Sequence, residues 1–113
     1  MDRLMNYRQL IKRILCERAA LANCCLSPGV ETNCVLDEGS DQYLLLSTGW
    51  SQDRRVRGMT LYVRIKDSKI WIEEDWTENG ITSELLEAGV PKEDIVLAFQ
   101  HPDMRPYTEF AVA

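Results

Sequence analysis

The chain has 113 residues, and its 18 acidic and 13 basic side chains give a formal net charge of −5. Its length fits one domain, residues 1–113, and its 45% apolar share excludes a disordered polymer. The negative balance excludes a uniformly basic nucleic-acid binder, since phosphate contacts need clustered Lys and Arg.

No apolar run approaches the roughly 20 residues needed to cross a bilayer. The first fifteen residues are charged at helical spacing and do not form a secretory signal, so a cytoplasmic protein is expected. Cys16, Cys24, Cys25 and Cys34 fit that compartment as free thiols, with Cys16 and Cys34 as small core fillers. Cys24 and Cys25 are adjacent, without C-x-x-C spacing, and the one histidine, His101, is distant, which argues against zinc. No cofactor is expected. The charge is unevenly spread: residues 1–69 hold 11 basic and 8 acidic side chains, residues 70–113 hold 2 and 10. A chain with two signs of charge suits a protein partner, or a second copy of itself.

Leu4, Tyr7, Leu10, Ile11, Ile14, Leu15 and Leu21 recur mostly at three- and four-residue steps, predicting an amphipathic helix of about six turns. Asp2 is placed to cap it, and it stops before "SPG" at 27–29. Alternation follows: Val30, Thr32, Cys34 and Leu36 point one way, Glu31, Asn33 and Val35 the other. "DEGSD" (37–41) is turn chemistry and "QYLLLSTGW" a second, more central strand. "SQDRR" turns into "VRGMTLYVRIKD", with Met59, Leu61, Val63 and Ile65 on one side. After the tight turn "KDSK", "IWIEE" runs with Ile70 and Ile72 inward. These four strands predict an antiparallel meander. Then come a short helix over "ITSELLEAG", with Gly89 ending it, a turn over "PKED", and "IVLAF" as either a fifth strand or a buried connector. The apolar end "FAVA" is expected to dock on the core or on a neighbouring subunit. The fold class is α+β: a long N-terminal helix, an antiparallel sheet of about four strands, one or two short helices and an apolar tail.

"KIWIEEDWTENGI" (69–81) concentrates Glu73, Glu74, Asp75 and Glu78 beside Trp71 and Trp76. Such a cluster could hold a hard cation. On a regular strand, however, Glu73 and Asp75 face one side and Glu74 the other, so they cannot converge on an ion without a bulge. The alternative is a strand exit serving a helix start, with Thr77 and Asn79 as caps and Glu78 beside the helix N-terminus. Glu73, Glu74, Asp75, Trp76 and Glu78 then make an acidic, tryptophan-bearing surface for a protein partner. No serine sits in a G-x-S-x-G context, and no E-x-K pattern follows a strand, so an enzyme is not expected. Trp50, Arg54, Arg55 and Arg57 are the best candidates for contacting a nucleic acid or a subunit.

Five blocks, "YRQLIKRIL", "GW…RRVRG", "IKDSKIWIEEDWTENGI", "ELLEAGVPKEDIVLAFQHP" and "YTEFAVA", together resemble the XisI family, the fdxN element excision controlling factors of cyanobacteria. The resemblance covers almost the whole chain. Trp76, Thr82 and Glu109 depart from the family's usual small residue, Ala and Gly at those places. The resemblance implies a small α+β protein, usually a homo-oligomer, linked to control of DNA-element excision during heterocyst differentiation. It also implies a neighbouring XisH-type protein with a nuclease-like fold as partner, and it brings no catalytic set. Two functions follow as expectations: an accessory factor that binds the XisH-type partner, its acidic surface standing in for DNA, or a direct DNA contact through Arg54, Arg55 and Arg57.

Overall fold

The computed structural model of the protein describes residues 3–25, 28–77 and 80–113. Helix α1 spans Arg3–Cys25. Tyr7, Ile11, Ile14, Leu15 and Ala19 share one stripe of it and are buried, with Leu4 and Leu10 partly so. Leu21 departs from the expected stripe and is 60% exposed, because a groove opens between the last turns of α1 and the sheet. Asp2, the expected cap, lies outside the described residues, as do Glu78 and Asn79.

Five strands follow, β1 (Val30–Asp37), β2 (Gln42–Ser51), β3 (Arg54–Lys66), β4 (Lys69–Asp75) and β5 (Ile95–Leu97), and they lie side by side in that order. The first four form the expected antiparallel meander. "IVLAF" resolves as a strand over its first three residues, and β5 pairs parallel to β4. A parallel neighbour requires a crossover rather than a hairpin. Here the crossover carries α2 (Thr82–Glu87) and a 3-10 turn at Lys92–Asp94.

The turns follow their sequence chemistry. Asp67 and Ser68 both take positive φ in the two-residue loop between β3 and β4, as a type I′ turn demands. Asp37 accepts from the amides of Gly39 and Ser40 and from the Ser40 hydroxyl, which fixes the β1–β2 loop. Helix α2 ends in a Schellman motif. Val90 N–H donates to Leu85 O and Gly89 N–H to Leu86 O, with Gly89 at φ +97° and Val90 buried. Gly49 is required for a different reason: a Cβ there would lie 2.1 Å from the carbonyl oxygen of Gly29.

Helices α1 and α2 cover one face of the sheet, where Tyr43, Leu45, Leu61, Val63, Ile65, Ile70, Ile72 and Ile95 complete the core with Ile81 and Leu85. Arg18 ties the helices together, donating to Glu84 and to the carbonyl oxygen of Gly80. Two further long-range links pin α1. The Tyr7 hydroxyl donates to buried Asp94 at 2.5 Å, and Arg8 grips Asp41 through Nε and Nη2 at 2.7 and 3.0 Å. At the free edge of β1, the Asn23 carboxamide accepts from Thr32 N–H and donates to Thr32 O.

The other sheet face carries no helix. Val35, Leu44, Leu46 and Tyr62 stand on it partly exposed to solvent, joined by Met59, which a register shift between Leu45 and Leu46 moves off the side expected for it. Only its β4–β5 corner is covered. There Trp71 and Val96 are buried under Lys66, whose Nζ is 4.8 Å from the indole centre, and Arg105 at 5.5 Å. Arg105 also donates to the carbonyl oxygens of Ala98 and Gln100. The C-terminal segment docks on its own chain: Ala111 bridges to Val96, and Phe110 packs against the core. No helix among the described residues is long and apolar enough to cross a membrane.

Candidate partner interface

The acidic cluster is arranged by a β-bulge. Val63 stands opposite Ile72 but Tyr62 stands opposite Glu74, so Glu73 is an extra residue in β4. The expected alternation, with Glu73 and Asp75 together, is therefore overturned. Glu73 reaches Arg64 at 3.8 Å on the helix-free face, and Glu74 shares that face with Tyr62. Asp75, opposite Leu61, turns toward the core side.

Asp75 organises the loop that follows. Its Oδ1 accepts from the Thr77 amide at 3.0 Å and from the Thr77 hydroxyl, while its Oδ2 accepts from the Ile81 amide at 2.8 Å. This corrects the expected capping. Ile81 occupies the N-cap of α2 without a side-chain acceptor of its own, and Thr77 gives its hydroxyl to Asp75. The carboxylate six residues earlier, rather than Thr77, holds the amide of the N-cap residue, and Asn79 lies outside the described residues.

Trp76 is 77% exposed. Its amide extends the ladder to Thr60 O at 2.8 Å, and its indole N–H donates to Glu74 at 3.2 Å. Strand β5 ends at Leu97, paired with Ile72, so residues 73–75 are the stretch of β4 that β5 does not reach. Glu73, Glu74 and Trp76 thus gather at one place, Asp75 is committed to the fold, and Glu78 lies outside the described residues.

The basic candidates divide. Arg55 pairs across the hairpin with Trp50 and lays its guanidinium 5.5 Å from the indole centre, and Arg57 sits opposite Thr48 on the same helix-free face. Arg54, opposite Ser51, points to the other side, alternating with Arg55 as strand geometry requires. Trp50 is 55% exposed. The helix-free face is therefore cationic at the β2–β3 hairpin tip and anionic at the end of β4. Arg57 and Tyr62 are five residues apart, roughly 17 Å along β3, with the exposed apolar side chains in between.

A groove of about 510 Å³ was not foreseen. Leu21, Ala22, Val30, Leu45, Val56 and Trp76 line most of it, beside Arg18. The one sequence signal for it is Leu21, an apolar residue on the stripe in the last turns of a helix. Among the described residues, no group of three or more His, Cys, Asp or Glu is placed to hold a metal ion.

A family model described as XisI protein matches residues 1–112. Among solved structures, the chain is similar to the fdxN element excision controlling factor XisI from Anabaena variabilis ATCC 29413. Identity is 43% and the TM-score 0.84, over 99% of this chain and 100% of that one. A XisI-like protein from the same organism aligns at 34% identity and TM-score 0.88, covering 97% and 99% of the two chains. No curated protein sequence matches.

Proposed function

The chain belongs to the XisI family, and we propose that it is a non-enzymatic controlling factor for site-specific excision of a DNA element, acting by binding an XisH-type, nuclease-like partner. One observation carries the choice of a protein partner: Trp76 is exposed among carboxylates, its indole bonded to Glu74, beside an apolar groove. Large aromatics at the centre of a desolvated patch are the side chains that dominate protein interfaces. In this reading Trp76 anchors in the partner while Glu73 and Glu74 meet its cationic, phosphate-binding surface in place of DNA. The 43% identical relative is named a controlling factor, which supports a regulatory role. The helix-free face, opposite in charge at its two ends, suits a second copy turned end for end, which supports a homo-oligomer.

Co-expression with an XisH-type protein tests the proposal. Co-purification at physiological salt is expected, with Trp76→Ala and Glu74→Gln each weakening it at least tenfold. Failure of the parent chains to co-purify refutes it.

A second reading has its own observation. Trp50, Arg55 and Arg57 combine an exposed indole with two guanidinium groups on one face, a stacking and charge pattern suited to DNA. It predicts binding to DNA at low salt that weakens steeply as salt rises and is lost in Arg55→Ala/Arg57→Ala. Absence of any mobility shift at low salt removes it.

A further inference from the structure

Cys16 lies on α1 and Cys34 on β1, and their sulfur atoms are 3.5 Å apart. Both are free thiols. Cys34 packs partly against the core, as a small filler would, but Cys16 is exposed and open to solutes. A disulfide needs its sulfurs at about 2 Å, a further approach of roughly 1.5 Å. Exposed Cys16 has room to rotate, and β1 is an edge strand with a hydrogen-bonded neighbour on one side only. Side-chain rotation with a small shift of the edge strand therefore suffices.

We propose that Cys16 and Cys34 are a modification site, a dithiol that closes to a reversible intramolecular disulfide when a peroxide is the oxidant. One thiolate attacks the peroxide O–O bond, becoming a sulfenic acid and releasing hydroxide, which a proton converts to water. The second sulfur then displaces the sulfenic oxygen, which leaves as a second water. Two thiols and one peroxide give one disulfide and two waters, and a dithiol reductant reverses the change by exchange. The bond joins the two walls of the groove, since Arg18, Leu21 and Ala22 come from α1 and Val30 and Thr32 from β1. In the reduced protein these walls are tied near this point by the Asn23–Thr32 pair. Oxidation adds a covalent tie to that adjustable one and fixes the width of the groove.

Peptide mapping of the 113-residue chain decides the matter. After treatment with hydrogen peroxide and blocking of remaining thiols, cleavage by trypsin and a glutamyl endopeptidase separates Cys16 (residues 14–17) from Cys34 (32–38). Cys24 and Cys25 fall together on 19–31. The expected product joins 14–17 to 32–38. Its formation should raise the melting temperature by roughly 5–10 °C, a gain reversed by dithiothreitol and missing in Cys16→Ser and in Cys34→Ser. Linkage of 14–17 to 19–31 overturns the proposal, as does sulfinic acid on Cys16 without a cross-link, or an unchanged protein. The mapping is made on the parent chain, so it stands even if a serine variant folds poorly.

Discussion

Replacing Asp75 with alanine separates its role in the fold from the binding role first attached to the acidic cluster. The substitution removes one carboxylate that accepts from two backbone amides and one hydroxyl. Hydrogen bonds to a charged acceptor contribute about 1.5–3 kcal/mol each when buried. Asp75 is only half-buried, so about 3 kcal/mol is expected for the set. Unfolding entropy scales with length, and for a chain of this size about 3 kcal/mol lowers the melting temperature by roughly 12 °C. Asp75→Asn keeps an acceptor oxygen but not the charge and should lose about half as much. Scanning calorimetry with guanidinium titrations reads both variants. The denaturant slope should stay constant, because the surface exposed on unfolding is unchanged. A melting temperature within 2 °C of the parent for Asp75→Ala refutes the reasoning. Below its melting temperature Asp75→Asn should still capture the partner, whereas Trp76→Ala should bind it at least tenfold more weakly.

Further outcomes follow from the other side-chain links. Tyr7→Phe strands the Asp94 carboxylate with only the more distant Arg3, and should cost about 1–2 kcal/mol in denaturant melts. In the parent, burial and the bond to Asp94 push the Tyr7 hydroxyl up to about 12, so its absorbance titration should lie above the ordinary tyrosine value of about 10. Arg8 holds the Asp41 carboxyl below the usual range, with the Tyr43 hydroxyl assisting and burial opposing. A depressed carboxyl adds stability that is present above its unfolded value, about 3.9, and is lost as pH falls through the folded one. Melting temperatures of the parent should therefore drop below about pH 4 more steeply than those of Arg8→Met. Arg105→Ala removes the bonds to Ala98 and Gln100 and the lid over Trp71. Hydrogen exchange should then speed up in residues 98–112 with little change in α1.

Patterns that repeat were legible in the sequence, and single events were not. Three- and four-residue spacing located α1, and twofold alternation located β1 to β4, because each pattern is written many times along its element. The bulge at Glu73 is one inserted residue with no signature of its own; it left Glu73 on its expected face but moved Glu74 onto that face and Asp75 to the core side. The parallel pairing of β5 depends on the path of a crossover rather than on the three residues Ile95–Leu97. Asp75 could have been read from "DWT", since an Asp two residues before a Thr commonly closes a turn on its own backbone. Its reach to Ile81 needed the folded loop. The division of Arg54 from Arg55 and Arg57 follows from strand alternation alone, once Arg54 is known to be inside β3.

Each border of the sheet is blocked at one point. Asn23 offers Thr32 the donor and acceptor that a sixth strand would supply, and Ala111 takes the corresponding position beside Val96. An arriving β-strand, from another copy or from a misfolded neighbour, would have to evict the contact it met before it could pair along the whole of that border. Assembly is thereby steered away from continuous, fibre-forming sheets and toward contacts between faces. A single amide in the last turns of a helix thus guards one of the two directions in which this sheet could grow.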